Sequence, residues 1–313
     1  MIYKILFKRG NMLLFFFLVS CFLSRLNTEF YLIDIFGQLS FQILIGGILL
    51  FFILLILKRL LASVICILIC ILLTIDILSS CNQCDAFLED KSQIHNKIRL
   101  MVFNVNHKNQ IKNFEILLKQ ILFEKPDIIL FQEVSPQAQD KLKSLESFYQ
   151  YKIGPNTPTS PFASIILSNY ALKENKVVDH FAIVTNVIMD VMELKIIRYH
   201  LYPQFNQALF NLAINQTKYL KTLVKNIDQN LILMGDLNMT PVSKRFTNFL
   251  KETNLYTYTS YKNPTFTWPT FLPGYLGIQV DHVLFSKNFK MIRKKTIDYF
   301  ESDHRPLIVD LAF

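Results

Sequence analysis

Three long uncharged stretches occupy most of the first eighty residues, and they constrain what this chain can fold into more than any other feature. All three are rich in leucine, with phenylalanine in the first, isoleucine in the third and both in the second. An apolar helix needs roughly 20 residues to cross a bilayer, and about 17 can suffice. The stretches therefore predict membrane spans near residues 10–25, 39–57 and 60–79. Residues 1–80 are accordingly interpreted as a membrane anchor that contacts the lipid bilayer.

The first stretch is the shortest and leaves two interpretations open. It follows the basic residues Lys4, Lys8 and Arg9, as the apolar part of a secretory signal peptide would. No small-x-small cleavage site follows it, and this favours a membrane span over a cleaved signal.

The basic residues beside the spans predict an orientation, because positively charged loops stay on the cytoplasmic side. Lys4, Lys8 and Arg9 place the N-terminus in the cytoplasm, and Lys58 and Arg59 form a cytoplasmic turn. The chain after about residue 80 is then expected on the exoplasmic face, whether periplasmic or extracellular.

Residues 81–96 are interpreted as a linker, and they begin with a C-x-x-C pair. In an oxidising compartment Cys81 and Cys84 can form a local disulfide. A redox motif would need a following helix and a βαβ context, so a structural pair or two free thiols is the expected interpretation.

The composition excludes a disordered chain, since 51% of the residues are hydrophobic and only 18% are charged. The mean hydropathy of +0.30 is high for a purely soluble protein, and the excess lies in the anchor. The formal net charge of +9 permits polyanion binding. The basic residues are scattered, however, apart from a cluster within 290–295 that is expected to be a solvated surface.

From residue 97 onward, short apolar strands alternate with helical segments, which predicts a layered α/β domain. Polar residues repeatedly stand where an apolar strand stops. In a layered sheet such strand ends gather on one rim, where α/β proteins build their sites. The residues placed in this way are Asn104, Glu133, His200, Asp236, Asn238, Asp281, Asp303 and His304.

Several carboxylates accompanied by amides suit a hard, oxygen-seeking ion such as Mg²⁺. The sequence lacks zinc-type His/Cys spacing, a glycine-rich phosphate loop and a G-x-S-x-G elbow. Histidines beside a cation site suit proton transfer or stabilisation of negative charge. The residues therefore predict metal-assisted hydrolysis of a phosphoester.

Six motifs in order make residues 98–313 resemble the endonuclease/exonuclease/phosphatase superfamily, whose fold is that of pancreatic deoxyribonuclease and the abasic-site endonucleases. The motifs are F-N-V at 103–105, P-D-I-I-L-F-Q-E-V at 126–134, H-L at 200–201, G-D-L-N-M-T-P at 235–241, V-D-H-V-L at 280–284 and S-D-H-R-P at 302–306. The three-span start is similar to a membrane-anchored bacterial branch of that superfamily, which implies the bacterial cytoplasmic (inner) membrane.

The resemblance implies a DNase I-like four-layer α/β sandwich, in which two packed mixed sheets are flanked by helices. About three transmembrane helices precede it, and the domain covers residues 97–313. The resemblance also implies Mg²⁺ as cofactor, with Mn²⁺ as the alternative. Glu133 would be the main metal ligand, Asn104 would help to hold metal or phosphate, and Asp303 would be a second ligand.

The resemblance also implies catalytic roles. Asp236 would orient or deprotonate the attacking water, and Asn238 would hydrogen-bond the water or the phosphate. His304 would contact the phosphate, with its tautomer held by Asp281. His200 would face the leaving group and act as an acid.

Four residues near these motifs are expected to be structural only. They are Asn106, His107, Asn109 and Trp268.

The leading interpretation of the function is a divalent-metal-dependent phosphodiesterase, with nuclease activity as the first hypothesis. The alternative is a phospholipid-directed, sphingomyelinase-like phosphodiesterase, which tethering beside a bilayer makes reasonable. A non-catalytic membrane scaffold is the third hypothesis, and the complete set of charged site residues argues against it.

Overall fold

The computed structural model describes residues 2–79, 84, 86–87, 94, 96–109, 111–155, 160–179, 181–227, 230–259, 264–299 and 301–313, with the backbone alone for 2–9 and 174–179. The chain divides into two compact units. The helical unit consists of Met1–Asn82, Pro203–Ile214 and Met239–Phe249, and the sheet unit consists of Gln83–Tyr202, Asn215–Asn238 and Leu250–Phe313. One boundary of this division, between Asn82 and Gln83, lies within the predicted linker, and two later segments belong to the helical unit. The domain bounds expected from the sequence stay a prediction.

Four helices begin the helical unit: α1 (Ile2–Leu23), α2 (Tyr31–Gln38), α3 (Ser40–Ile56) and α4 (Leu60–Ser79). Among the described residues, α4 alone is long and apolar enough by itself to cross a membrane. Helices α2 and α3 are long and apolar enough to cross a membrane only when they are counted together, and the chain bends by 67° at the break between them. The apolar part of α1, Gly10–Leu23, is shorter than a span.

By length and composition, the described residues thus contain one candidate span, or two if the bent pair counts as one, in place of the three predicted. Residues 31–38, which lie between the first two predicted spans, form the helix α2.

Little of the predicted linker is described. Ala86 and Phe87 pair with Met291 of the last part of the chain, as the Ala86 carbonyl accepts from the Met291 N–H at 2.8 Å. Cys84 takes part in a disulfide. Its predicted partner, Cys81, lies outside the described residues.

Eleven strands are present among the described residues of the sheet unit. They are β1 (Lys97–Asn104), β2 (Ile128–Gln132), β3 (Tyr151–Ile153), β4 (Ser164–Ser168), β5 (Ala171–Asp179), β6 (Ala182–Ile188), β7 (Glu193–His200), β8 (Leu231–Asp236), β9 (Asp281–Phe285), β10 (Lys290–Thr296) and β11 (Leu307–Ala312).

The strands form a six-stranded sheet in the order β10-β11-β1-β2-β4-β3 and a five-stranded sheet in the order β5-β6-β7-β8-β9. Both sheets are mixed, because β1 and β2 are parallel, β7 and β8 are parallel, and the other pairs are antiparallel.

The main core lies between the two sheets, and side-chain alternation along the strands explains it. Leu100 and Val102 of β1 join a buried cluster with Ile196 and Ile232 of the other sheet. The alternate residues of β1, such as Phe103, face a second cluster. That cluster includes α5 (Phe114–Glu124) and α6 (Pro136–Leu142).

Two further helices complete the fold. Helices α7 (Gln207–Lys225) and α8 (Lys244–Thr253) each begin in the helical unit and end in the sheet unit. In the sheet unit Tyr219 of α7 contacts Phe181, with ring centroids 6.0 Å apart. The predicted α/β fold of two mixed sheets flanked by helices is confirmed.

Gln132, the last residue of β2, ties the two sheets together at one end. Its Nε2 donates to the Tyr199 carbonyl, and its Oε1 accepts from the Asp236 N–H at 2.9 Å. Gly235 makes this approach feasible, because a Cβ there would lie 2.0 Å from the Tyr199 oxygen and 2.8 Å from the Gln132 nitrogen. The ends of β2, β7 and β8 are thereby held side by side.

Candidate active site

Four predicted site residues stand at the carboxyl ends of parallel strand pairs. Asn104 ends β1 and Glu133 follows β2 in one sheet, and His200 ends β7 and Asp236 ends β8 in the other. The hydrogen bonds of Gln132 hold these strand ends together, so the four side chains lie close to one another. The rim predicted from strand ends is therefore present in the structure.

Asn104 is fully buried and connects two carboxylates. Its Nδ2 donates to Glu133 Oε1 at 2.8 Å and lies 3.4 Å from Asp236 Oδ2. Its Oδ1 accepts from the Asn106 N–H at 3.0 Å. Asn104 thus turns its donor toward the carboxylates, and the oxygen that a cation would need is engaged by the backbone.

Glu133 is surrounded by hydrogen-bond donors. The His107 N–H donates to Glu133 Oε2 at 3.2 Å, and His200 Nε2 lies 3.4 Å from Oε1. Burial alone would raise the pKa of Glu133, but His200, the Asn104 amide and His304 outweigh it and lower the pKa. Glu133 is therefore a stable carboxylate and can attract a cation.

Asp236 and Asp281 face each other across the antiparallel strands β8 and β9, and both are buried. Asp236 Oδ1 accepts from the Asn238 N–H at 2.8 Å. Asp281 Oδ1 is buried and has no hydrogen-bond partner among the residues that the structure describes. Burial, and then the nearby Asp281 charge, raise the pKa of Asp236 well above its usual value. The site thus holds excess negative charge.

His304 partly balances this charge. Its Nδ1 lies 2.8 Å from Asp281 Oδ2, and its Nε2 lies 3.8 Å from Asp236 Oδ2. Burial opposes protonation, but Asp281 and Asp236 together raise the pKa of His304 to about 10. The His304 side chain is therefore an imidazolium at neutral pH, with Nδ1–H donating to Asp281.

His200 differs from His304 although it is also buried. Its Nε2 lies 3.9 Å from Asp236 Oδ2, and its ring stands 5.0 Å from the Phe162 ring centroid. Burial lowers the pKa of His200 in spite of the nearby Glu133. A neutral imidazole results, which is better suited to hydrogen bonding than to acid catalysis at neutral pH.

Asn238 and Asp303 complete the predicted set. Asn238 Nδ2 donates to the Leu201 carbonyl at 2.8 Å, next to His200 in the chain. Asp303 Oδ1 accepts from Asn106 Nδ2 at 2.9 Å, and its Oδ2 accepts from Trp268 Nε1 at 3.1 Å. The roles inferred for both residues stay predictions.

Three residues expected to be structural contact the site directly. His107 contacts Glu133, and Asn106 and Trp268 both donate to Asp303. The available sequence signal was proximity, since Asn106 and His107 closely follow Asn104. Nothing in the sequence showed which way their side chains turn.

The donor set fits a divalent cation. Ligating atoms of Asp236, Asp281 and His304 all lie within 4.8 Å of one another. The hydrogen bond between Asp281 and His304 accounts for part of that closeness. The unpartnered Asp281 oxygen and the facing Asp236 carboxylate leave negative charge that a hard cation would neutralise, and Glu133 adds a third carboxylate.

Solved structures with the same fold come from several organisms. A double mutant of beta toxin from Staphylococcus aureus, with bound magnesium ions, is 16% identical with a TM-score of 0.55, covering 68% of this chain and 99% of that chain. Sphingomyelinase C from Streptomyces griseocarneus is 13% identical with a TM-score of 0.51, covering 69% and 99%. D. rerio TDP2 complexed with a single-strand DNA product is 15% identical with a TM-score of 0.53, covering 70% and 100%.

At these identities the likeness shows the fold alone. No curated protein matches the chain in sequence. The sequence pattern described as the Endonuclease/Exonuclease/phosphatase family matches residues 101–304.

Proposed function

Because the chain belongs to the Endonuclease/Exonuclease/phosphatase family through residues 101–304, we propose that it is a divalent-metal-dependent phosphodiesterase with a DNase I-like fold. One observation carries the proposal: a buried His304–Asp281 pair faces the Asp236 carboxylate, next to Glu133. This arrangement combines a fixed positive charge, a proton acceptor and a cation-binding carboxylate in one place.

Each residue of that arrangement has a role in hydrolysis. Asp236 accepts a proton from the attacking water, since its carboxylate lies between the Asn238 N–H and His304 Nε2. Asn238 orients that water or the phosphate. The His304 imidazolium stabilises the negative charge that develops on the phosphate oxygens, and Asp281 keeps its ring in place. His200 lies on the leaving-group side, where its Nε2 also faces Glu133.

The cation in this proposal is Mg²⁺, with Mn²⁺ as the alternative. Glu133 would hold it, Asn104 keeps Glu133 in place, and Asp303 is the second predicted ligand. When bound, the cation would polarise the phosphoryl oxygen and neutralise charge. The oxygen-rich donor set supports this choice, as do the magnesium ions bound in the beta toxin structure.

Membrane tethering is part of the proposal. Helices α3 and α4 pack against each other, and α4 exposes large apolar side chains such as Leu61, Leu68 and Leu72 to the surroundings. Contiguous apolar surfaces of this kind mark membrane or protein contacts. With Lys58 and Arg59 in the cytoplasmic turn, both ends of the helix pair lie on the exoplasmic side.

The single basic cluster of the chain does not support nucleic-acid binding. Lys295 pairs with the buried Glu124, and Arg293 Nη2 lies 3.7 Å from the same carboxylate. Lys294 Nζ donates to the Tyr258 carbonyl and to Gln279 Oε1 at 3.0 and 2.8 Å. The side chains of Arg293, Lys294 and Lys295 are therefore engaged by other groups of the protein, which weighs against a phosphate-binding surface on β10.

An exposed aromatic loop beside the site favours a phospholipid diester as the substrate. Phe271 is 78% exposed and Tyr275 is 62% exposed. Their loop is anchored to the site, because the Thr270 N–H donates to the Asp303 carbonyl at 3.0 Å and Arg305 donates to the Thr270 carbonyl at 3.1 Å. Exposed aromatic side chains of this kind partition into a lipid interface.

Nucleic acid is the second candidate, and a different feature favours it. An open cavity of about 410 Å³ is lined by Asn106, Lys108, Asn109, Lys112 and Glu301. It adjoins the site through Asn106, which donates to Asp303. Its two lysines suit a further anionic group of an extended substrate.

The deciding experiment uses the full chain in detergent and in liposomes, with Mg²⁺, with Mn²⁺ and with EDTA. The substrates are bis-p-nitrophenyl phosphate, sphingomyelin and phosphatidylcholine vesicles, plasmid DNA and RNA. EDTA-sensitive cleavage of the soluble diester and of a phospholipid is expected. Nicking of DNA without lipid cleavage would select the nuclease, and no hydrolysis of any diester would overturn the proposal.

A further inference from the structure

The two chain segments that follow site residues belong to the helical unit. The segment Pro203–Ile214 comes directly after the strand end that carries His200, and Met239–Phe249 comes directly after Asn238. Both are grouped with the N-terminal helices by their contacts. The loop that begins at Asp236 therefore starts at the end of strand β8 and continues into a segment of the helical unit.

Gln38, the last residue of α2, holds that second end. Its Oε1 accepts from the Thr240 N–H at 2.6 Å, and its backbone carbonyl accepts from Thr240 Oγ1 at 3.0 Å. Both residues are buried, with 8% and 3% of their surface exposed. Gln38 Nε2 in turn donates to Asp34 Oδ2 at 2.8 Å. The side chain of Gln38 is thus fixed at both of its polar atoms.

The same helix is attached to the loop a second time through Asp34. Arg245 Nη1 lies 3.3 Å from Asp34 Oδ2, and its guanidinium stands 4.8 Å from the centroid of the Phe210 ring. Phe210 belongs to the segment that follows His200. Asp34 thereby connects Gln38 with both of the segments, and Arg245 is almost fully buried in this arrangement.

The backbone between Asp236 and Thr240 needs such support. Asn238 has a left-handed backbone conformation, with φ of +48°, which is costly for a residue other than glycine. Its N–H donates to Asp236, and its side chain donates to the Leu201 carbonyl. A strained conformation of this kind persists only where the surroundings fix it, and Thr240 is two residues away.

We propose that Gln38 is a positioning residue of the active site: by fixing Thr240, it sets the loop that carries Asp236 and Asn238. The inference rests on the proposed function. It assigns α2 a role in hydrolysis, although this helix lies in the sequence between the apolar helices α1 and α3. Loss of the contact lets the loop move, and a displacement of about 1 Å at a reacting group can cost 100-fold in rate.

The test compares Gln38→Ala in the full chain with Gln42→Ala, the same substitution in the next helix, α3. Hydrolysis of bis-p-nitrophenyl phosphate is measured per folded protein. In Gln38→Ala, kcat is expected to fall about 10- to 100-fold, with KM within about twofold of the parent. Gln42→Ala is expected to keep the parent kcat.

Amide hydrogen exchange supplies a readout that does not depend on turnover. Exchange in peptides covering residues 236–241 should rise about tenfold or more in Gln38→Ala, while β1 and β2 keep their protection. Unchanged exchange in that region, or a kcat equal to that of the parent, overturns the positioning role. A parent chain that hydrolyses no diester overturns the proposed function instead, and the exchange result then still shows whether Gln38 holds the loop.

Discussion

Asp281 Oδ2 lies 2.8 Å from Nδ1 of His304, and both residues are buried. The pair fixes the histidine ring and maintains its positive charge, since Asp281 contributes to raising the pKa of His304 to about 10. Asp281→Asn removes that charge partner, and His304→Ala removes the imidazolium. We expect kcat for a soluble diester to fall by about 10³-fold or more in both.

The control for this prediction is Asp190→Asn, at an exposed turn of the sheet unit. It should leave turnover unchanged. Near-normal kcat in either Asp281→Asn or His304→Ala, measured with the folded protein, would show that the pair does not take part in the reaction.

Asp236→Asn should lower the rate of hydrolysis while it raises the thermal stability of the metal-free protein. The substitution removes a buried negative charge that faces Asp281, and Asn can still accept the hydrogen bond from the Asn238 N–H. In EDTA we expect the Tm of the variant to exceed that of the parent by roughly 2–4 °C. Hydrolysis should fall by about 10²- to 10⁴-fold, because the proton acceptor is lost.

Thermal unfolding and turnover of the same Asp236→Asn preparation check both parts of this prediction. A lower Tm than that of the parent in EDTA would contradict the view that this carboxylate destabilises the metal-free fold.

Gly235→Ala should disrupt the connection between the sheets. The new Cβ would lie 2.0 Å from the Tyr199 carbonyl oxygen, at a φ of +142° that alanine rarely adopts. We expect the free energy of unfolding to fall by about 3 kcal/mol, because the backbone must shift. Denaturant unfolding of this variant beside Gly274→Ala measures the effect. A Cβ at Gly274 meets only Phe266 Cδ2, at 3.6 Å, so equal losses in the two variants would refute the role of Gly235.

Phe271→Ser combined with Tyr275→Ser tests the lipid substrate. Burial of Phe271 in an interface is worth about 2 kcal/mol, or roughly 30-fold in binding. Hydrolysis of vesicle lipid should therefore fall at least that much, with hydrolysis of bis-p-nitrophenyl phosphate unchanged. Phe123→Ser is the matched control, since Phe123 is 81% exposed at the end of α5. An equal loss in the control would assign the effect to general surface hydrophobicity.

Lys294 leads to a prediction about how the stability of the protein depends on pH. Burial of its ammonium group lowers the pKa from 10.5 to about 7. Between pH 7 and 10.5, Lys294 is protonated in the unfolded chain but mostly neutral in the folded chain. The contribution of Lys294 to the free energy of unfolding therefore rises with pH in that window. The Tm advantage of Lys294→Met over the parent should be largest near pH 7 and should narrow by pH 9.5.

Lys290→Met, at the exposed start of the same strand, should show no such narrowing. A constant difference between Lys294→Met and the parent from pH 7 to 9.5 would contradict the lowered pKa.

The strand pattern predicted the layered α/β fold because each buried strand is a short apolar run. It also predicted the rim, because Asn104, Glu133 and Asp236 each follow such a run directly. The contacts of His107 and Trp268 were not predictable, since they depend on how loops fold back onto Glu133 and Asp303.

The helical region shows the same limit of sequence patterns. Length and hydropathy identified three apolar stretches, but they carry no information about bends or about partners distant in the chain. Helix α2 is stabilised by Thr240 and Arg245, roughly two hundred residues later. For the same reason the basic cluster around Lys294 was interpreted as solvated, although Glu124 and Gln279 occupy its cations.

The discontinuous helical unit has a consequence for biosynthesis. Gln38 and Thr240 are 202 positions apart. At a synthesis rate of roughly 5–20 residues per second, α2 emerges from the ribosome about 10 to 40 s before its partner exists. In the proposed membrane-tethered enzyme, the helices on either side can enter the membrane during that interval, before Thr240 and Arg245 are available to Gln38 and Asp34. Insertion would then precede assembly, and the proposed site is completed only when the segment ending at Phe249 reaches helices already in place.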